Sequence, residues 1–144
     1  MTLLLISAAC AQAPPASSIR AALDHGMATA EAASSVRCTR EPEKLVFSCI
    51  EQIDQDHFTA VDVVAEPIAP DQRKPGRQSI HASEPIVGPG GGGGRYSLTT
   101  ADGAYAIQAI ELQRLMRGAR PNLPSATSLI EVIATTYDGK PATR

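Results

Sequence analysis

The clearest pattern along the chain is an alternation of apolar and polar positions between residues 45 and 65. Leu45, Phe47 and Cys49 alternate with Val46, Ser48 and Ile50, which predicts a strand whose core face carries the cysteine. Asp54-Gln55-Asp56-His57 is a polar turn. Residues 58–65 return as a second strand, with Thr59, Val61, Val63 and Ala65 facing one way and Asp62 the other. The two runs make a hairpin inside the stretch 36–66, entered through a loop that Cys38 and Cys49 are spaced to close. Within that loop, Thr39 to Lys44 is a charged turn bent by Pro42.

Before this hairpin, Ile19, Leu23, Met27 and Ala30 recur at helical spacing. They predict a helix over 17–33, capped by Ser17 or Ser18, or alternatively a disordered Ala-rich spacer. Gly26 in its middle costs about 1 kcal/mol relative to Ala. After the hairpin the composition shifts to Pro, Gly and charge over 66–94, a connector with one short edge strand over 78–82. Its run Gly88–Gly94 reads as a mobile loop. Residues 95–100 then alternate as a strand. Asp102 is placed to cap a helix over 103–117 with Tyr105, Ala109, Leu112 and Met116 on one stripe. The β-branched run 129–137 predicts a central strand. The expected fold is therefore a single small α+β domain in the order α-β-β-(β)-β-α-β. It has an antiparallel sheet of about four or five strands, an N-terminal helix and a second helix packed on one face.

A chain of 144 residues suits one domain, and with aromatic residues at 3% and no Trp its core must be aliphatic. Net charge is −2, which gives no general attraction for nucleic acid. The signs are unevenly spread: residues 14–70 carry four Lys/Arg against nine Asp/Glu, and 71–144 carry nine against six. That asymmetry suits two halves that pack together.

Residues 1–13 combine an apolar run with small residues and no charge before Arg20, the pattern of a secretory signal's end. Within them Ser7-Ala8-Ala9-Cys10 resembles the lipobox of bacterial lipoproteins, with Ser7 where that motif usually has a hydrophobic residue. The resemblance implies cleavage before Cys10 and lipid attachment to it, hence a periplasmic or outer-membrane-anchored protein that touches the membrane only through that anchor. Cleavage after Ala13 is the other option, and a cytosolic chain retaining Met1 is the alternative to export. Residues 14–35 are then tether and helix, and 36–144 the folded domain. In an oxidising compartment Cys38 and Cys49 are expected to pair, closing a loop that stabilises by about 3 kcal/mol.

Candidate chemistry is sparse. Asp54, Asp56 and His57 are a tight acid/histidine cluster, the residue types that bind a divalent metal or support hydrolysis. A hairpin turn explains the same residues through local hydrogen bonding and solubility, and that reading is preferred. Glu41, Glu43, Glu51, Asp54 and Asp56 are possible members of a carboxylate pair. Gly90–Gly94 followed by Arg95 lacks the Gly-Lys-Ser/Thr ending of a phosphate loop. His25 and His81 stand alone, and the basic groups Arg73/Lys74/Arg77 and Arg114/Arg117/Arg120 lack the aromatic residues that stack on bases. No catalytic residue, cofactor or metal is therefore assigned. The expected function is a non-enzymatic binding, inhibitory or assembly module of the bacterial envelope, whose partner is another envelope protein met through the 66–94 connector. The alternatives are a small metal-dependent or hydrolytic envelope enzyme using Asp54, Asp56 and His57, and a cytosolic accessory protein.

Overall fold

A computed structural model describes residues 16–76, 79–83, 85–88 and 91–139. The apolar N-terminal segment with Cys10 lies outside the described residues, as do Arg77, Gln78 and Gly90. The elements in chain order are α1 (Ala16–Ala30), β1 (Val36–Arg40), β2 (Val46–Gln52), β3 (Phe58–Pro67) and a 3-10 turn (Pro70–Gln72). These are followed by β4 (His81–Ala82), β5 (Ile86–Gly88), β6 (Gly91–Thr99), β7 (Tyr105–Arg114) and α2 (Ala126–Asp138). All strand pairs are antiparallel. The sheet runs β1-β2-β3-β7-β6-β4, with β5 also on β6.

The α+β class stands, and the 45–65 hairpin forms as its alternation predicts. Phe47 and Cys49 on β2, and Thr59, Val61, Val63 and Ala65 on β3, are buried while Asp62 is exposed. The strand count is larger than expected, seven rather than four or five. One addition is β1, where a charged loop was expected. Its Cys38 lies directly opposite Cys49 in the ladder, Sγ to Sγ 2.00 Å, so the two sulfurs stand at disulfide distance between neighbouring strands.

Two further expectations are overturned together. Residues 105–114 form strand β7, not a helix, and 129–137 lie in helix α2, not in a central strand. Asp102 caps a turn instead of a helix: its carboxylate accepts from the Thr100 hydroxyl (2.7 Å) and the Ala104 N–H (2.9 Å), closing the β6–β7 hairpin. Tyr105, Ile107 and Ala109 then alternate inward, and ten residues of β7 find register with β3. For α2 the end signals outweigh the β-branched content. Ser125 accepts from the Ser128 N–H at the start, and Gly139 N–H bonds the Thr135 carbonyl at the end. Leu129, Ile130, Ile133 and Ala134 are buried at helical spacing.

The glycine run is also strand rather than loop, since Gly91–Gly94 open β6 and pair with both β5 and β7. A side chain at Gly93 would place its Cβ 1.8 Å from the Glu111 carbonyl oxygen, so the approach of β6 to β7 here requires glycine.

Both helices lie over the same face of the sheet, and the core fills the space between. Its largest fully buried side chains are Ile19, Ile107, Leu129, Ile130, Ile133, Val61 and Val63. Gly26 explains itself here. A Cβ at that position would meet Ile133 Cγ1 at 2.6 Å and Cδ1 at 2.9 Å, so glycine is what lets α1 and α2 cross so closely. Gly26→Ala improves intrinsic helix propensity yet forces the branched root of Ile133 to move. It should destabilise the protein by about 1–3 kcal/mol through overpacking. Urea unfolding checks this, and a stabilised variant would contradict the packing.

Candidate functional site

Strand alternation on a sheet covered on one side leaves a second set of side chains without a helix above them. Reading across neighbouring strands, Ile50 lies opposite Ala60, Ala60 opposite Leu112, Leu112 opposite Gly93 and Gly93 opposite Ile86. One register away Ser48, Asp62, Ile110 and Arg95 form the next row, and beyond it Val46, Val64, Gln108 and Ser97. This outer face is apolar at its centre. Ile50 is 42% exposed and Leu112 40%, and Ile86 on the adjoining β5 is half-buried beside them. Two shallow depressions mark it, one of about 190 Å³ against Val46, Asp62, Val64 and Ile110. The other, of about 230 Å³, lies against Phe58, Ile86, Val87 and Leu112.

The residues singled out by sequence take other roles. Asp54 and His57 do meet, Nδ1 to Oδ1 2.7 Å, but on the β2–β3 turn. There the same carboxylate oxygen also accepts the N–H groups of Asp56 (2.8 Å) and His57 (3.0 Å). The Asp56 N–H above all, and then the His57 ring, hold the Asp54 carboxyl below its ordinary range. Asp56 contributes its backbone to this turn, and its residue is exposed. Among the described residues no three metal-ligating side chains converge. Glu41 pairs with Lys44 at 3.1 Å on the exposed β1–β2 turn, and Arg40 pairs with Asp24 of α1.

Glu51 is the residue whose role the sequence concealed. The sequence marks it only as one of five possible members of a carboxylate pair, yet it is 2% exposed beneath the helices. Its two carboxylate oxygens accept four hydrogen bonds: from Ser35 Oγ (2.6 Å), the backbone N–H groups of Asn122 (2.7 Å) and Leu123 (3.0 Å), and Asn122 Nδ2 (3.0 Å). Its position two residues after Cys49 on the same face of β2 was the available signal. A matching clasp holds the far end of α2, where Tyr137 donates to Asp102 Oδ2 at 2.7 Å and the Ala101 N–H bonds Asp138 at 3.0 Å. Burial, reinforced by the Asp102 carboxylate, pushes the Tyr137 hydroxyl far above the usual phenol range. Glu111 of β7 accepts the Ala126 N–H (2.9 Å) at the start of α2, where a carboxylate also complements the helix dipole. These buried and half-buried acids are fasteners of the helix layer, and they leave the outer face as the candidate site.

No protein-family model, curated protein or solved structure matches the chain. The described residues contain no helix long and apolar enough to cross a membrane.

Burial alone pushes the Glu51 carboxyl up, but the hydrogen bonds from Ser35, Leu123 and Asn122 outweigh it, so its pKa falls below the ordinary value of 4.5. A depressed folded-state pKa means that the carboxylate stabilises the fold above that ordinary value, and that this contribution is lost as pH falls through the lowered one. Glu51→Gln should cost about 1.5–3 kcal/mol near neutral pH, and the gap to wild type should shrink in acid. Urea unfolding at neutral pH and well below the ordinary glutamate value checks this; a gap independent of pH would contradict it.

Proposed function

We propose that this chain is a non-enzymatic binding and assembly module of the bacterial cell envelope, exported and anchored through Cys10, that docks a protein partner on the outer face of its sheet. The observation that carries the reading is the apolar row across that face, from Ile50 through Ala60 and Leu112 to Ile86, with Ile50 and Leu112 exposed. Exposed contiguous apolar surface on a folded domain marks a docking site. Export is supported by the apolar segment ahead of Cys10 and by the disulfide distance between Cys38 and Cys49, a pairing that oxidising compartments favour.

The Gly/Pro-rich stretch keeps a part in this reading, though as structure rather than as a free loop. Its Ile86 extends the apolar face past β6, and its glycines are the start of β6 itself. Removing the glycines would therefore damage the sheet as well as the contact. Point substitutions at exposed positions separate the two effects.

Affinity capture from native envelope extract tests the docking. Wild type should retain a protein partner that Ile50→Lys and Leu112→Lys lose, while the thermal midpoint of both variants stays near that of wild type. Capture that survives both substitutions would contradict docking on this face. Mass spectrometry of the protein purified from its native host should find Cys10 as a lipidated N-terminus, and an intact Met1 would contradict export.

A further inference from the structure

Ile110 sits at the centre of the outer face. In the β3–β7 ladder its partner is Asp62, and in the β6–β7 ladder its partner is Arg95. An acid and a base thus flank one apolar residue in a single row, on either side of β7. Both are exposed, and among the described residues neither forms an ion pair. They stand two strands apart, about 10 Å at ordinary strand spacing, and do not pair with each other. Charges placed symmetrically about an apolar centre are what a self-complementary surface requires, because a two-fold axis exchanges the two sides.

We infer that the outer face seats a second copy of this chain, packed face to face about a two-fold axis running along β7, so that Asp62 of each copy meets Arg95 of the other. The inference rests on the reading that this face is a protein-docking surface and names its occupant. The same axis sets Ile110 against Ile110 and Leu112 against Leu112 at the centre. Ile50 on β2 then lies over Ile86 on β5 of the second copy, since the two are displaced to opposite sides of β7 in the Leu112 row. Apolar side chains therefore fall on apolar ones along that row, and the charged row closes with two ion pairs. Arg114 lies at the end of β7 and is exposed, at the rim, where a long cationic side chain stays in water.

The size of the face is adequate. Four strands of about seven residues and the three residues of β5 span about 500 Å² per copy at ordinary sheet spacings. A face-to-face pair covers about 1,000 Å² in total, at the lower bound for a specific interface. An axis along the strands also gives the aligned arrangement in which two twisted sheets stack.

Charge reversal provides the test, read by sedimentation velocity of the full chain across a concentration series. Wild type should sediment as a pair of copies. Asp62→Arg and Arg95→Asp should each weaken association by about a hundredfold, because like charges then meet twice in every pair. The double variant should associate like wild type, and an equimolar mixture of the two single variants should form a mixed pair. Circular dichroism melts confirm that the variants fold, which the exposure of both positions leads us to expect. Single reversals that leave association unchanged would overturn the inference, as would a wild type that stays a single copy at high micromolar concentration. If that single copy still loses envelope capture with Leu112→Lys, the pairing falls and docking on this face stands; if capture is also unaffected, both fall.

Discussion

The contact on which the rest of the structure depends is the seating of Ile133 against Gly26. Two helices must share one face of a sheet whose core is built from aliphatic side chains, and a domain this poor in aromatic residues has little bulk with which to fill a wide gap between them. Glycine at the crossing lets α2 come down onto α1, with Ile19, Leu129, Ile130 and Ile133 fully buried as a result. Close packing of this kind gains dispersion contacts that a looser arrangement would forfeit. It also commits both helices to the same side, and among the described residues no helix covers the opposite face of the sheet.

The helix layer is fixed at its ends by hydrogen-bonded carboxylates, the buried Glu51 and the half-buried Asp102, as well as by apolar packing. Glu51 takes the segment leading into α2 and the Ser35 turn in one carboxylate, while Asp102 takes the Tyr137 hydroxyl at the other end of α2. Edge-to-face packing of Tyr105 on Tyr137, centroids 5.6 Å apart, braces the same corner. Burying a carboxylate is costly unless its oxygens are satisfied, and here several donors converge on each. The Cys38–Cys49 position sits one register from Glu51 on β2, so the edge strand β1 is tied to the same region that holds the helix layer.

How much of this was legible in the sequence follows from where local and long-range signals agreed. The 45–65 hairpin was readable because its alternation is strict and its turn is polar, and even the outward position of Asp62 could be read. For 105–114 and 129–137 the two signals disagreed. Tyr105, Ala109 and Leu112 fit a helical stripe, but Tyr105, Ile107 and Ala109 fit a strand, and long partners on both sides of β7 decided between them. For 129–137 the β-branched residues favoured a strand, whereas the Ser125 cap and the Gly139 stop favoured the helix that forms. The glycines of β6 carry no pattern at all, and their strand exists because β5 and β7 flank them. The candidate site was hidden for the same reason. Asp62, Arg95 and Ile110 come from three strands spread over 49 positions, and the row they make appears only once register is known.

The central claim is that this sheet has one face sealed by two helices and one face built to be covered by another molecule. Hydroxyl-radical footprinting measures that directly, because it reports side-chain exposure residue by residue on the intact chain. In dilute protein Ile50, Ile110 and Leu112 should be oxidised while Ile107, Leu129 and Ile133 stay silent. On concentrating the protein, the first three should become protected together and the buried three should not change. Equal oxidation of Ile50, Ile110 and Leu112 at every concentration, and in envelope preparations as well, would contradict the account.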